Sequence, residues 1–207
     1  MPAVNPRLDH LPHPDLHMRV PHRTFYYLRH GETDWNVAGR LQGHTDTPLN
    51  ATGVGQARAA AQRLLGCGIT RLIASPLARA WHTAELVNVR LNLPLMADIA
   101  LKERTFGSFE GELHNELKAR HGLSPTQSIT TILPPDAEQW PDTCARMTDA
   151  IAANLALFPH DTLLFVGHGA NFRALFEVLC GTHREATNAE PYLFRPVDGM
   201  CEMEVVG

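Results

Sequence analysis

Apolar positions along this chain follow two rhythms. Short β-rich runs at 24–28, 72–74 and 162–166 predict three buried strands. Each stops at a polar or glycine-containing cluster: Arg29-His30-Gly31-Glu32, Ser75-Pro76 and Gly167-His168-Gly169. Between them, apolar residues recur at helical spacing. Val54, Ala57, Ala61, Leu64 and Leu65 share one face of a helix over 52–65, with Thr52 as its cap and Gly66 and Gly68 as its stop. Ala80, Ala84, Val87 and Leu91 mark a helix that runs to about Asn92, and Pro94 closes that stretch. Met147, Ile151 and Leu155 mark a third, and 172–179 reads as a fourth that ends at Gly181. A short helix is expected over 112–121, an ordered loop over 101–111, and little periodicity over 124–140. The tail predicts a hairpin, 192–194 and 200–206, about a turn at Asp198-Gly199.

Strands alternating with helices predict an α/β fold, a three-layer sandwich with a mostly parallel central sheet and helices on both faces. Ligands of such sheets sit at the C-terminal strand ends. The polar clusters Arg29-His30, Ser75 to Arg79 and His168 fall at those ends.

Composition narrows the picture by exclusion. The 207 residues suit one domain, expected over 24–207, after a flexible arm over 1–23 that is rich in proline. His10, His13, His17 and His22 lie in that arm without carboxylates or cysteines at ligand spacing, so no metal site is expected there. The net charge of −4 and the lack of a basic stripe argue against a nucleic-acid partner. No apolar run reaches the roughly 18 residues of a membrane span, and no secretory apolar run opens the chain. A cytoplasmic protein is expected, with Cys67, Cys144, Cys180 and Cys201 as reduced thiols. Monomer and homodimer both remain open.

The candidate chemistry comes from what hydrolysing a phosphomonoester demands. Planar guanidinium groups bind phosphoryl oxygens bidentately. A neutral imidazole is a nucleophile available near neutral pH, and a carboxylic acid can protonate the leaving alkoxide. The chain offers Arg29 and Arg79, His30 and His168, and Glu103. Bland readings compete: a turn histidine, a surface arginine, a solvated loop carboxylate. Arg40, His44 and His82 read as structural or rim residues, and Trp35 and Trp81 as core. Other motifs fail. His30-Gly31-Glu32 has no Pro-Cys-x-x-Cys to complete a zinc deaminase site. Gly53-Val54-Gly55 has Arg58 where a dinucleotide loop needs its third glycine, and it lies inside a helix pattern.

Four blocks, in order, resemble the histidine phosphatase superfamily, which includes cofactor-dependent phosphoglycerate mutases and many small-molecule phosphatases. They are Leu28-Arg29-His30-Gly31-Glu32-Thr33 with Trp35-Asn36 and Arg40-Leu41-Gln42-Gly43 after it, Ser75-Pro76-Leu77-Ala78-Arg79-Ala80, Leu101-Lys102-Glu103-Arg104 with Gly107 and Gly111, and Gly167-His168-Gly169. The resemblance covers Phe25 to about Val206. It implies that His30 is the nucleophile, that Arg29, Arg79 and His168 form the phosphate pocket, and that Glu103 is the acid and base. Asn36, Thr33, Gln42 and Gly43 would touch the transferred group or the substrate. Residues of about 104–160 would form a cap or insertion over the site. No cofactor or metal is implied, and the partner would be a small phosphomonoester.

Departures from the mutase pattern favour a phosphatase. Ala170 stands where mutases have Asn, and Phe106 where they have Tyr. Between Glu103 and His168 the only Lys or Arg are Arg104, Lys118, Arg120 and Arg146, with no adjacent pair to grip a second anion. A phosphoglycerate mutase and a non-catalytic phospho-ligand binding protein are the alternatives.

Overall fold

A computed structural model of the chain describes residues 23–197 and 200–207. The expected arm histidines and the Asp198-Gly199 turn lie outside the described residues. Arg23, expected within the arm, belongs to the domain: its guanidinium donates to the carbonyls of Leu155, Phe158 and Asp161.

Six strands form one sheet: β1 (Phe25–Arg29), β2 (Arg71–Ala74), β3 (Leu95–Ala97), β4 (Leu163–Gly167), β5 (Pro191–Val197) and β6 (Met200–Val205). Their order is β3-β2-β4-β1-β5-β6. The first four run parallel, and the β5–β6 hairpin adds two antiparallel strands beside β1. The helices are α1 (Asp34–Ala38), α2 (Ala51–Arg63), α3 (Ala78–Leu91), α4 (His114–Arg120), α5 (Trp140–Leu157) and α6 (Gly169–Cys180).

Strand alternation sends successive side chains to opposite faces, and here both faces are apolar. Phe25 and Tyr27 of β1 join Phe165, Met147, Ile151 and Phe172 under α5 and α6. Tyr26 and Leu28 join Leu72, Leu164, Ala61 and Val87 under α2 and α3. The three expected layers are therefore present.

The segment over the sheet's C-terminal edge is shorter than expected. Helix α5, placed by sequence within a cap reaching about residue 160, packs on the main core through Met147, Ile151 and Leu155. What remains over the edge has its own small core of Leu41, Leu117 and Ile129, with Phe106 and Phe109 against it. A cluster this small cannot bury enough apolar area to fold alone, so the segment leans on the domain below.

Candidate active site

Parallel pairing brings three strand ends together. Arg29 of β1 pairs with Gly167 of β4, and Ala74 of β2 with Val166 of β4. Two hydrogen bonds continue the ladder past the strands: His30 N–H to the Gly167 carbonyl and Ser75 N–H to the Val166 carbonyl, both 2.9 Å. His30, His168 and Ser75 thus meet at one edge although they are far apart in sequence.

His30 is 2 % exposed. Its Nδ1 lies 2.7 Å from the Gly31 carbonyl, which can only accept. Nδ1 therefore carries the proton, and in the neutral ring Nε2 keeps a free lone pair. Burial, then the positive charges of Arg29 and Arg79, hold the ring's pKa well below the usual histidine value. The imidazole is neutral, as a nucleophile must be.

The loop carrying His30 is held by close contacts. Gly31 N–H donates to Thr83 Oγ1 on α3, 3.0 Å away. Gly31 and Gly53 face each other: a Cβ on Gly31 would lie 2.4 Å from the Gly53 oxygen, and one on Gly53 would lie 2.1 Å from the Glu32 oxygen. The first turn of α2 fits against the loop only because both residues lack side chains.

The two arginines are buried and aimed by backbone carbonyls. Arg29 Nη1 donates to Ala186 at 2.7 Å. Arg79 donates from Nη1 to Thr45 at 3.0 Å and from Nη2 to Gly43 at 2.8 Å. Neither Nε has a protein partner among the described residues. Burial lowers both guanidinium pKa values, and the Glu103 carboxylate is the first charge opposing that shift in each.

Glu103 is 8 % exposed. Its Oε1 accepts the Arg104 N–H at 3.0 Å, and Oε2 accepts the Ala170 N–H at the start of α6 at 3.2 Å. His44 Nε2, 2.8 Å from the Glu103 carbonyl, steadies the same residue. The other nearby carboxylates are engaged elsewhere. Glu32 accepts from Asn50, and Glu112 pairs with Arg120. Glu110 accepts from the His44 and Thr45 amides, from the Thr45 and Thr105 hydroxyls and from the Phe106 amide. Burial pushes the Glu110 pKa up, but those donors outweigh it and hold it below the usual value. Glu110 ties the loop that orients Arg79 to the loop that carries Glu103. It also dictates Gly43, where φ is +54° and a Cβ would lie 2.0 Å from Glu110 Oε1.

The expected residues divide by position. Arg29, His30, Arg79, Glu103, Asn36, Gln42 and Gly43 line one cavity of about 850 Å³. His168 lies behind His30, fully buried, with ring centroids 5.3 Å apart. Its Nε2 meets Ser75 Oγ at 2.8 Å, and its Nδ1 has no partner among the described residues. Thr33 does not line the cavity. Its side chain accepts from Asn36 N–H and donates to Asn36 Oδ1, capping α1 and orienting Asn36. Of the residues read as structural or core, Arg40 and Trp35 also line the cavity. Ser75, Thr83 and Tyr27 were not singled out by sequence as site residues. Among the described residues no group of three or more His, Cys, Asp or Glu side chains could hold a metal ion, and no helix is long and apolar enough to cross a membrane.

Comparison with known proteins identifies relatives of the sequence and of the fold. The family model described as histidine phosphatase superfamily (branch 1) matches residues 25–192. A Bacillus subtilis protein described as an uncharacterized phosphatase, PhoE, is 35% identical over 158 residues, covering 74% of this chain and 76% of that protein. A probable phosphoglycerate mutase, GpmB, of Proteus mirabilis is 36% identical over 161 residues, covering 75% and 74%. Among solved structures, a mycobacterial glucosyl-3-phosphoglycerate phosphatase complexed with VO3 superposes with a TM-score of 0.76 at 28% identity, covering 88% of this chain and 98% of that one. YhfR of Bacillus stearothermophilus gives a TM-score of 0.76 at 27% identity, covering 88% and 95%.

Proposed function

The chain belongs to the histidine phosphatase superfamily, branch 1, and from that premise we propose that it hydrolyses a small phosphomonoester through a phosphohistidine on His30. The observation that carries this reading is the His30 Nδ1 contact with the Gly31 carbonyl, which leaves Nε2 as the free lone pair beside two arginines.

The Nε2 lone pair attacks phosphorus in line with the ester oxygen. The P–N bond forms as the P–O bond breaks, and Glu103 gives its proton to the departing alkoxide. Arg29 and Arg79 balance the charge on the phosphoryl oxygens. Glu103, now a carboxylate, takes a proton from water as that water attacks phosphorus. The P–N bond breaks, inorganic phosphate leaves, and His30 is restored. Two arginines supply the charge a metal would otherwise supply, so the reaction runs without one.

A second reading, phosphoglycerate mutase, draws on the likeness to probable mutases. It is also favoured by cations that the count between Glu103 and His168 overlooked: Arg173 and Arg184 line the cavity from beyond His168. Ala170 and Phe106 still depart from the mutase pattern, and hydrolysis remains the better fit.

The test is a brief reaction with a labelled phosphomonoester in the presence of a chelator. Acid-labile, base-stable label should appear on His30, and His30→Ala should lose both label and turnover. Label on serine or cysteine, or full activity in that variant, would exclude the mechanism. Phosphoglycerate isomerisation measured alongside separates the two readings.

A further inference from the structure

Between α6 and β5 the chain turns back across the loop that carries the nucleophile. The Ala186 carbonyl accepts from Arg29 Nη1 at 2.7 Å. Ala189 N–H donates to the Arg29 carbonyl at 3.0 Å and reaches the His30 carbonyl at 3.3 Å. Asn188 Nδ2 donates to the His30 carbonyl at 2.9 Å and to Asn36 Oδ1 at 3.4 Å. None of residues 186–189 lines the cavity. They touch what surrounds a substrate there, not the substrate.

The backbone of this segment is held in an uncommon shape. Ala189 has φ +48°, a left-handed conformation that a Cβ disfavours. Such a conformation persists where its surroundings over-determine it. Ala189 is buried, and two residues before it Thr187 N–H donates to the Tyr192 hydroxyl at 2.9 Å, fastening the segment to β5.

Partners with a single role assign the ends of both side-chain amides. A carbonyl only accepts, so the Asn188 atom facing His30 is the NH2 nitrogen. A backbone N–H only donates, so the Asn36 atom 3.1 Å from Thr33 N is Oδ1. The Thr33 hydroxyl and Asn188 donate to that same oxygen. Asn36 thus keeps its own NH2 for the cavity it lines. Helix α1, which carries Asn36, buries none of its residues, so packing gives it little hold and a tether matters to its place. The His30–Gly31 peptide is gripped from both sides, its carbonyl by Asn188 and its N–H by Thr83 Oγ1 at 3.0 Å.

We infer that Asn188 is a positioning residue for the reaction: its one amide ties the peptide after the nucleophile to Asn36 and fixes the separation of the two. This rests on the phosphatase reading. Asn188 acts through His30 and Asn36.

The experiment is a double-mutant cycle of Asn188→Ala with Asn36→Ala, read in turnover of p-nitrophenyl phosphate and in calorimetric binding of inorganic phosphate. Thermal melting checks each variant. Asn188→Ala should lower kcat/KM roughly tenfold, the scale of two hydrogen bonds. It should weaken phosphate binding roughly fivefold, and less than about twofold once Asn36 is already alanine, the coupling expected of residues in contact. A loss in kcat should persist in that background, because the His30 carbonyl is still released. Asn188→Asp is the second variant, should Asn188→Ala not melt cooperatively. It keeps the shape but sets a carboxylate against two oxygens, so near neutral pH it should be worse than Asn188→Ala. As pH falls toward the carboxylate range the group gains a proton and can donate again, and its activity relative to the parent should recover. A side chain that merely fills space would rank Asp above Ala and show no recovery. That ranking, additive effects in the cycle, or an Asn188→Ala variant within twofold of the parent would overturn the inference. If phosphate binds but no ester is turned over, the phosphatase reading falls and the cycle in phosphate affinity decides the role of Asn188. If the parent neither binds phosphate nor turns over an ester, both fall.

Discussion

At the scale of single residues, the reaction depends on which protons sit where. In the proposed mechanism Glu103 is the acid, since of Glu32, Glu103, Glu110 and Glu112 it alone lines the cavity and the other three are engaged elsewhere. Glu103→Gln should slow turnover by roughly 100- to 10,000-fold, the range of a lost general acid. The loss should be larger for an alkyl phosphate, whose alkoxide needs the proton, than for p-nitrophenyl phosphate. Equal slowing of both substrates would remove Glu103 from the role. The buried imidazoles also tie stability to pH. His30 and His168 have pKa values well below 6.5 in the fold, chiefly through burial. The unfolded chain takes up protons near its ordinary histidine pKa, whereas the folded chain resists until much lower pH. Stability should therefore fall as pH drops from about 7 to about 5, a window above most carboxylates. Thermal melting across it should show the slope, and His168→Gln should make the slope shallower. A melting temperature that rose on acidification would mean that these rings are not held neutral. That Arg29, His30, Arg79 and Glu103 would share one cavity was legible because the proposed chemistry restricts its groups to Arg, His and Glu. Thr33 was misplaced because a cap and a phosphate ligand call for the same hydroxyl.

At the scale of elements, the glycine contact between α2 and the His30 loop makes a sharp demand. Gly53→Ala puts a methyl group 2.1 Å from the Glu32 oxygen, so the helix and the loop must separate. Overpacking of this kind costs about 1–3 kcal/mol. For a domain of this size that lowers the melting temperature by roughly 2–12 °C, and turnover should fall with it because Asn50, Glu32 and His30 move together. Gly55→Ala, which meets nothing within 4 Å, is the control. The sequence shows why Gly53 is no dinucleotide loop, but not what it packs against, since a close approach between segments leaves no periodicity. Other elements escaped for similar reasons. β3 is three residues after Pro94, two half-buried and one exposed, too short to alternate. α1 is five residues with none buried, marked only by the capping box of Thr33 and Asn36. α2 is capped by Asn50 rather than Thr52. α6 starts at Gly169, where glycine and polar residues hide the helical rhythm until Phe172.

At the scale of the whole molecule, the strand order makes the cavity. β4 lies between β1 and β2, so three polar clusters that follow strand ends become neighbours, and this much could be read from the alternation of strands and helices. The cavity's other cations could not: Arg40, Lys118, Arg173 and Arg184 arrive from the loop after α1, from α4, from α6 and from the loop after α6, and a count confined to the segment between Glu103 and His168 misses Arg173 and Arg184. The same sheet also governs the response to alkali. All three tyrosines, Tyr26, Tyr27 and Tyr192, belong to β1 and β5. Tyr27 is the most enclosed: its hydroxyl donates to the His168 carbonyl and accepts the His168 N–H, both at 2.9 Å. Burial raises all three phenol pKa values above 10, Tyr27 furthest. Above about pH 10 the unfolded chain ionises while the folded one does not, so stability falls as pH rises. Phenolate absorbance should then stay low in the native protein and rise steeply with loss of the circular dichroism signal. Three independent, gradual titrations would contradict it. The hydroxyl that holds the second histidine in place thus makes the protein its own optical reporter of alkaline unfolding.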